Sequence, residues 1–394
     1  IVADAQVGTK VYETLDAAFA AAQDGDEVKV LTAGTYALST SGKDITITGA
    51  VDGVVFDNIG AKNMGSANVT FNNVTFDYYP NVNYTGLQHS GNLVYNNCTI
   101  NGQVFLYGQS EIFNNCTFNQ ESAGAYNVWT YGADYVEFNK CTFNSAGKSV
   151  LVYNEGDGAT DLVVTETEFH ASAVVEGKAA IEIDTSLMPG QTTITIDSKT
   201  TATGFDEGNV SGNTLWNNKK GNADNDNNDI TIVVDGNTVL SPHYEAQIGD
   251  VKHRTLKEAI DAVQNGETIT LVSDITYTDY VYDSGKTTAV NIANGKDFTL
   301  DLAGKSITGT NATENNYELI TIAKGTKLTI EDSSAEKTGK ISYTGTRATA
   351  DGWMRRCHTI YNQGTLVLNG GTIENNTPAT AEAVASAIDN NASW

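Results

Sequence analysis

Two carboxylates near the middle of the chain have a spacing that suits acid–base chemistry. Glu182 and Asp184 lie two residues apart in a segment whose apolar residues alternate, which predicts a β-strand. Side chains two apart share one face of a strand, so we expect this pair on the outer face, about 6.5–7 Å apart. Inverting glycosidases hold a water between an acid and a base at a similar separation. The pair is therefore our catalytic candidate if the chain is a hydrolase, although such pairs also serve solubility alone.

Aromatic side chains recur at matched positions of successive predicted strands. Alternation directs two columns outward, the first comprising Phe105, Trp129 and Leu151 and the second Tyr107, Tyr131 and Tyr153. His89 falls one strand earlier, next to Tyr107. Flat aromatic faces stack on sugar rings, and an exposed patch of this size indicates a binding site or an interface. The alternative is that a long loop covers the columns and makes them part of the core.

One segment offers oxygen ligands of the type that calcium prefers. Asp224, Asp226 and Asp229 lie in a polar stretch, but the glycine and the bidentate glutamate of an EF-hand loop are missing. We expect a solvated linker here, with a calcium site as the weaker alternative. No other cofactor is expected.

A six-residue motif recurs five times in the first half of the chain. Its copies are 71–76, 95–100, 113–118, 138–143 and, in degraded form, 164–169. Their fourth residues are 24, 18, 25 and 26 residues apart, which fits a solenoid of short strands and turns. Repeats of helical pairs are longer and lack such β-branched and aromatic runs. The repeat therefore predicts an all-β solenoid.

Alternation inside the motif predicts continuous columns of like side chains. One inward column comprises Val74, Cys98, Cys116, Cys141 and Thr167, and a second comprises Phe76, Ile100, Phe118, Phe143 and Phe169. The first asparagine of the motif lies at the bend between two strands in four copies, at Asn72, Asn96, Asn114 and Asn139. Asparagine tolerates left-handed backbone, and stacked amides can hydrogen-bond from rung to rung. An asparagine ladder is expected at this corner.

A second repeat divides the chain into two modules. Residues 5–8, 14–15 and 23–26 recur at 246–249, 255–256 and 264–267, all at one offset of 241. Each copy contains an apolar stripe at helical spacing, so each module is predicted to open with a short capping helix. We place the modules at 1–243 and 244–394 and expect the second to be truncated at its C-terminal end.

These opening segments resemble a known superfamily. The helix pattern followed by residues 28–36 looks like the start of right-handed parallel β-helix domains of the pectin-lyase-like superfamily. Segments 297–309, 327–332 and 364–373 resemble those of large repetitive surface proteins of gut Gram-positive bacteria. The resemblance implies two tandem β-helix modules and leaves the activity open, because this fold hosts lyases, hydrolases, esterases and adhesins. The Asn-Thr-Asp, Asp-Asp and Gly-His-Gly elements of its polygalacturonan hydrolases are absent, as is a convincing lyase site.

Charge and hydropathy exclude several partners. With 23 Lys and Arg against 48 Asp and Glu, the net charge is −25, which argues against nucleic acid and anionic lipid as ligands. No apolar run is long enough to span a bilayer.

We therefore expect a secreted or wall-attached bacterial adhesin or carbohydrate-binding scaffold that contacts a glycan or another host-surface component. A glycoside hydrolase, favoured over a lyase, and a purely structural stalk are the alternatives. The sequence leaves the oligomeric state open.

Overall fold

The structure is a computed structural model that describes residues 3–39, 42–57, 61–154, 159–184, 192–209, 211–218, 230–283, 286–311, 317–345, 355–378 and 383–390. The chain divides into two compact units, Ile1–Pro242 and His243–Trp394. They are called the first and the second unit below. Among the described residues, β-strands are the main regular element of both units, and each unit has one short helix.

The first unit contains helix α1 (Leu15–Ala21) and 25 strands among its described residues. The strands are β1 (Ala5–Val7), β2 (Lys10–Tyr12), β3 (Glu27–Val30), β4 (Gly34–Tyr36), β5 (Ile45–Gly49), β6 (Val54–Asp57), β7 (Ala61–Gly65), β8 (Val69–Asn72), β9 (Thr75–Asp77), β10 (Gly86–His89), β11 (Asn92–Asn96), β12 (Thr99–Asn101), β13 (Val104–Asn114), β14 (Thr117–Asn119), β15 (Val128–Asn139), β16 (Thr142–Ser145), β17 (Val150–Val152), β18 (Asp161–Thr165), β19 (Glu168–Ala171), β20 (Ile181–Ile183), β21 (Thr192–Ile196), β22 (Thr201–Thr203), β23 (Trp216–Asn218), β24 (Ile230–Val234) and β25 (Asn237–Leu240).

The second unit contains helix α2 (Leu256–Ala262) and 15 strands among its described residues. The strands are β26 (Ala246–Ile248), β27 (Val251–His253), β28 (Thr268–Leu271), β29 (Ile275–Tyr277), β30 (Val281–Asp283), β31 (Lys286–Ile292), β32 (Asp297–Asp301), β33 (Ser306–Asn311), β34 (Tyr317–Ile322), β35 (Lys327–Glu331), β36 (Lys340–Gly345), β37 (Arg355–Asn362), β38 (Thr365–Leu368), β39 (Thr372–Asn375) and β40 (Ala383–Asn390).

Parallel sheets dominate the first unit. One runs in the order β3-β5-β8-β11-β13-β15-β18-β21-β24, and a second in the order β4-β6-β9-β12-β14-β16-β19-β22, so the chain alternates between them. A branch continues from β15 through β17 and β20 to β23. Each strand lies beside its counterpart from the preceding turn of the chain, an arrangement compatible with a β-helix-like solenoid.

Strand register confirms the predicted inward columns. Phe76, Ile100, Phe118, Phe143 and Phe169 face one another in order, and all are buried. The thiols also stack, because the backbone N–H of Cys98 donates to Sγ of Cys116 at 3.4 Å. A slip of one residue would expose every member of these columns, so burial fixes the register.

The asparagine ladder is present, and it corrects one detail of the prediction. Nδ2 of Asn96 donates to Oδ1 of Asn72 at 2.9 Å, and Asn114 and Asn139 continue the series upward. These asparagines end strands, and the left-handed residue is the next one along the chain. That residue has φ of 56°, 53°, 53° and 55° at Asn73, Asn97, Asn115 and Lys140. The first asparagine stays extended because it still pairs with neighbouring strands.

The second unit forms three parallel sheets. Their orders are β28-β32-β35-β38, β29-β33-β36-β39 and β31-β34-β37-β40. Its core is mainly leucine and isoleucine, with Leu300, Ile307 and Ile320 each at most 2% exposed. No helix in the described parts of the chain is long and apolar enough to span a membrane.

Both helices are fixed by the same devices. The hydroxyls of Thr14 and Thr255 cap α1 and α2 by accepting from the N–H groups of Ala17 and Glu258. At the opposite ends, the ammonium groups of Lys43 and Lys296 donate to backbone carbonyls of the last helical turns. A cation at this end satisfies orphan carbonyls and interacts favourably with the helix dipole.

Candidate functional site

Six side chains of the first unit form one connected group, here called the aromatic cluster. Its members are Tyr84, Phe105, Tyr107, Trp129, Tyr131 and Tyr153. Tyr131 is central, because its ring makes edge contacts at 5.4 Å with Tyr84, Phe105 and Tyr107 and stacks on Tyr153 at 6.1 Å. Phe105 stacks on Trp129 at 5.0 Å. The structure thus brings together the five aromatic residues predicted from the sequence, while the side chain of His89 lies outside the described residues.

A β-bulge sets the position of Tyr131. Phe105 pairs with Trp129 but Tyr107 pairs with Gly132, so β15 contains one residue more than β13 at this point. The backbone of Tyr131 is left-handed, with φ of 39°. Bulges redirect side chains, and left-handed conformations of bulky residues concentrate at functional sites.

Tyr84 gives the cluster its exposed edge. It lies in the segment before β10, its side chain is 52% exposed, and its backbone is also left-handed, with φ of 65°. Trp129, Tyr131 and Tyr153 are half-buried. The cluster therefore presents a partly exposed aromatic surface whose rings brace one another.

The outward columns are covered more deeply than expected. Register confirms that Phe105, Trp129 and Leu151 lie opposite one another, but Phe105 and Leu151 are only 2% and 0% exposed. Tyr84 packs on Phe105, and Tyr126 packs on Trp129 at 5.9 Å. The segments before β10 and β15 therefore cover part of the columns, as the loop alternative proposed.

Glu182 is buried, which corrects the expectation of an exposed carboxylate pair. It continues the same column below Leu151, with 0% exposure. Its carboxylate accepts from the N–H of Ala179 at 2.9 Å, from Nζ of Lys178 at 3.2 Å and from Nδ2 of Asn217 at 3.3 Å. These donors balance a buried charge, and Asn217 ties β23 to the segment that contains β20. A general acid must reach its substrate, and this carboxylate has no exposed surface.

Asp184 is also buried, at 6% exposure. Burial, followed by the charges of Glu182 and Asp184, raises the pKa of Tyr126, which packs on Trp129 of the aromatic cluster. The pair therefore belongs to the packed layer beside the aromatic cluster.

Nothing in the described residues assembles a metal site. No group of three or more His, Cys, Asp or Glu side chains is arranged there to hold an ion. The candidate ligands Asp224, Asp226 and Asp229 lie outside the described residues.

The second unit contains a polar group that the sequence analysis did not identify. Nδ1 of His358 lies 2.7 Å from Oγ of Ser386, and its Nε2 lies 3.2 Å from Oδ2 of Asp389. The connectivity is that of a hydroxyl–imidazole–carboxylate relay, but the imidazole is only 1% exposed. We interpret these two contacts as a structural link, in which the buried histidine of β37 joins β40.

Two further residues of the first unit were also missed. Tyr84 precedes its strand in a segment without repeat character, so no periodicity identifies it. Glu111 occupies an inward position of β13 and is 1% exposed. A signal for Glu111 was present, because a carboxylate at an apolar position of an alternating strand breaks the pattern.

The fold and site define an all-β protein of stacked parallel sheets with a braced aromatic surface. The chain matches no protein-family model, and neither a curated protein nor a solved structure is significantly similar to it.

Proposed function

We propose that this chain is a non-catalytic carbohydrate-binding protein of the bacterial surface, built from two right-handed parallel β-helix modules at residues 1–243 and 244–394. The parallel sheets of both units, their repeated opening helices and the stacked columns support the architecture. The resemblance to surface proteins of gut Gram-positive bacteria supports a secreted or wall-attached location.

The observation that carries the binding function is the aromatic cluster. Its exposed ring, Tyr84, stands beside the half-buried rings of Tyr131 and Tyr153, and mutual contacts hold all three in place. Pre-ordered aromatic faces bind sugar rings with little loss of side-chain freedom, and phenol groups supply hydrogen bonds.

The ligand we propose is a neutral glycan. The net charge of −25 creates a field that repels sulfated or sialylated chains, most strongly at low salt.

Two other functions carry less support. A glycoside hydrolase using Glu182 and Asp184 would need these carboxylates at a surface, and both are buried under contacts with their own unit. A purely structural stalk does not account for two left-handed tyrosines within one aromatic cluster.

A glycan array tests the proposal with three variants of the full chain. Wild-type protein is expected to bind neutral oligosaccharides, and Tyr84→Ala and Tyr131→Ala are expected to weaken binding about tenfold, roughly 1.4 kcal/mol. Tyr79→Ala is the matched control, because Tyr79 is 42% exposed in the same segment as Tyr84 but is not a member of the cluster. Binding that is absent, or equally weak in all three variants, would refute the assignment. Release of reducing sugar from a bound glycan would instead favour the hydrolase.

A further inference from the structure

Glu111 interrupts an otherwise aliphatic column of the first unit. The strand register places Val69, Leu93, Glu111, Val136 and Leu162 opposite one another in order. All five are buried, and the other four members of this column are valine or leucine. A carboxylate here has a large desolvation penalty that an aliphatic residue would not have.

The adjacent column shows a matching exception. Phe71, Tyr95, Phe113 and Phe138 face one another, and only Tyr95 carries a hydroxyl. That hydroxyl donates to Oε2 of Glu111 at 3.2 Å. Burial, followed by the charge of Glu111, raises the pKa of Tyr95 well above its usual range. The phenol therefore stays protonated as the donor to this carboxylate.

The second oxygen of Glu111 accepts from Tyr107 of the same strand, beside the left-handed Gly108; these two residues are called the corner below. The backbone N–H of Tyr107 donates to Oε1 of Glu111 at 2.9 Å, next to Gly108, whose φ is 106°. This corner directly follows the register shift against β15. Glu111 thus accepts an N–H group at the point where regular pairing between the strands is disturbed.

Tyr107 connects this corner to the aromatic cluster. Its hydroxyl donates to the backbone carbonyl of Tyr84 at 3.2 Å, and its ring contacts Tyr131 at 5.4 Å. Gly86, two residues after Tyr84, lies close against β13, since a Cβ at this position would lie 2.1 Å from the carbonyl oxygen of Phe105. A shift of Tyr107 would therefore be passed to both left-handed tyrosines.

We propose that Glu111 is a positioning residue for the aromatic cluster: it holds the corner at Tyr107 and thereby sets the rings of Tyr84 and Tyr131. The buried carboxylate serves the shape of the surface, and the column itself does not require it. This inference rests on the proposed binding function for its purpose, but its structural part is tested without any ligand.

The test replaces the exceptional pair by the residue types of the neighbouring rungs. The variant Glu111→Leu with Tyr95→Phe fills both columns and leaves no phenol without its acceptor. We expect it to fold, with a thermal midpoint at or above that of the wild type. In spectra of isotope-labelled tyrosine, the ring signals of Tyr84, Tyr107 and Tyr131 should shift or broaden. Binding of neutral oligosaccharides on the array should fall at least about tenfold.

Two further variants separate positioning from packing. Glu111→Gln keeps an oxygen for the N–H of Tyr107, so it should retain the wild-type ring signals. Val136→Leu changes the same column one rung further along and should also leave them unaltered. Unchanged ring signals in the double variant would overturn the inference, as would a loss of signal dispersion in Val136→Leu as large as in the double variant. If the wild type binds no glycan, the proposed function fails while the ring signals still decide the role of Glu111.

Discussion

The two units begin alike and then build their interiors differently. Each opens with an antiparallel strand pair and a seven-residue helix capped by a threonine and a lysine. The first unit continues with stacked phenylalanines and an asparagine ladder. The second has an aliphatic core, and aspartates hold several of its turns. The same initial strand pair and helix are therefore compatible with different side chains at the turns that follow, provided that the backbone groups at each turn are hydrogen-bonded.

The difference also concerns surface chemistry. The first unit contains the braced rings of the aromatic cluster, whereas in the second unit the imidazole of His358 is buried beneath its half-buried partners Ser386 and Asp389. We therefore expect different substitutions to destabilise the two units. Loss of ring stacking or of a ladder amide should matter most in the first unit, and loss of a buried aspartate that accepts hydrogen bonds in a turn should matter most in the second.

The largest expected effect comes from the phenylalanine stack. Phe118 is fully buried and lies 4.3 Å from the ring of Phe143, so Phe118→Ala should lower the free energy of unfolding by about 4 kcal/mol. The matched change in the second unit, Leu300→Ala, should lower it by about 3 kcal/mol. Unfolding in urea, monitored by the hydrogen exchange of backbone amides in each unit, measures both values. A loss under about 1 kcal/mol for Phe118→Ala would contradict the stacked core.

A buried aspartate of the second unit should give a pH-dependent effect. Burial opposes the charge of Asp332, but the Ser334 hydroxyl and the N–H groups of Gly339 and Gly304 outweigh it and lower its pKa. Asp332→Asn should therefore destabilise the chain by about 2 kcal/mol at neutral pH.

The sign of this dependence follows from the lowered pKa. The contribution is complete above the pKa of an unfolded aspartate, about 3.9, and is lost as the pH falls through the lower folded value. Thermal unfolding between neutral pH and about pH 2.5 should show the gap between wild type and Asp332→Asn closing in acid. The exposed Asp250→Asn serves as control. A gap that persists unchanged in acid would show that the charge of Asp332 contributes nothing.

The asparagine ladder should contribute less than either core. Asn114 donates to Asn96 and accepts from Asn139, so Asn114→Ala removes two side-chain hydrogen bonds. We expect a loss of about 1–2 kcal/mol in urea unfolding. Thr117→Ala, an outward change in the same coil, should stay within about 0.5 kcal/mol. Equal effects of the two variants would mean that the ladder is not stabilising.

The smallest effect is a gain. Lys140 occupies the left-handed corner that asparagine fills in the three preceding coils, at φ of 55°. Because asparagine tolerates this conformation better than lysine, Lys140→Asn should raise the free energy of unfolding by about 0.5 kcal/mol. A decrease in the thermal midpoint would show that the lysine side chain contributes more than the backbone preference.

Local periodicity predicted the columns but not what covers them. Alternation placed Cys98 and Phe118 inward because the side-chain period of a strand is two. Parity predicts an outer face for Phe105 and Glu182, yet both side chains are buried, in part by segments without any repeat. The contact of Tyr84 with Phe105 depends on such a segment.

The backbone conformation at strand ends and bulges was the second feature that the sequence did not predict. The bulge at Tyr131 and the left-handed turn after Asn72 arise from pairing between coils, which a single strand does not reveal. Glu111 shows the converse, because its departure from the apolar pattern was visible in the sequence but its partner at Tyr107 became evident only from the fold.

The most direct test of the central claim is a titration of isotope-labelled tyrosine with the neutral oligosaccharide that binds most strongly on the array. If the aromatic cluster is the binding surface, the ring signals of Tyr84, Tyr131 and Tyr153 will shift in a saturable manner, while those of Tyr277 and Tyr343 in the second unit stay unchanged. Saturable shifts confined to the second unit, with the cluster silent, would contradict the account.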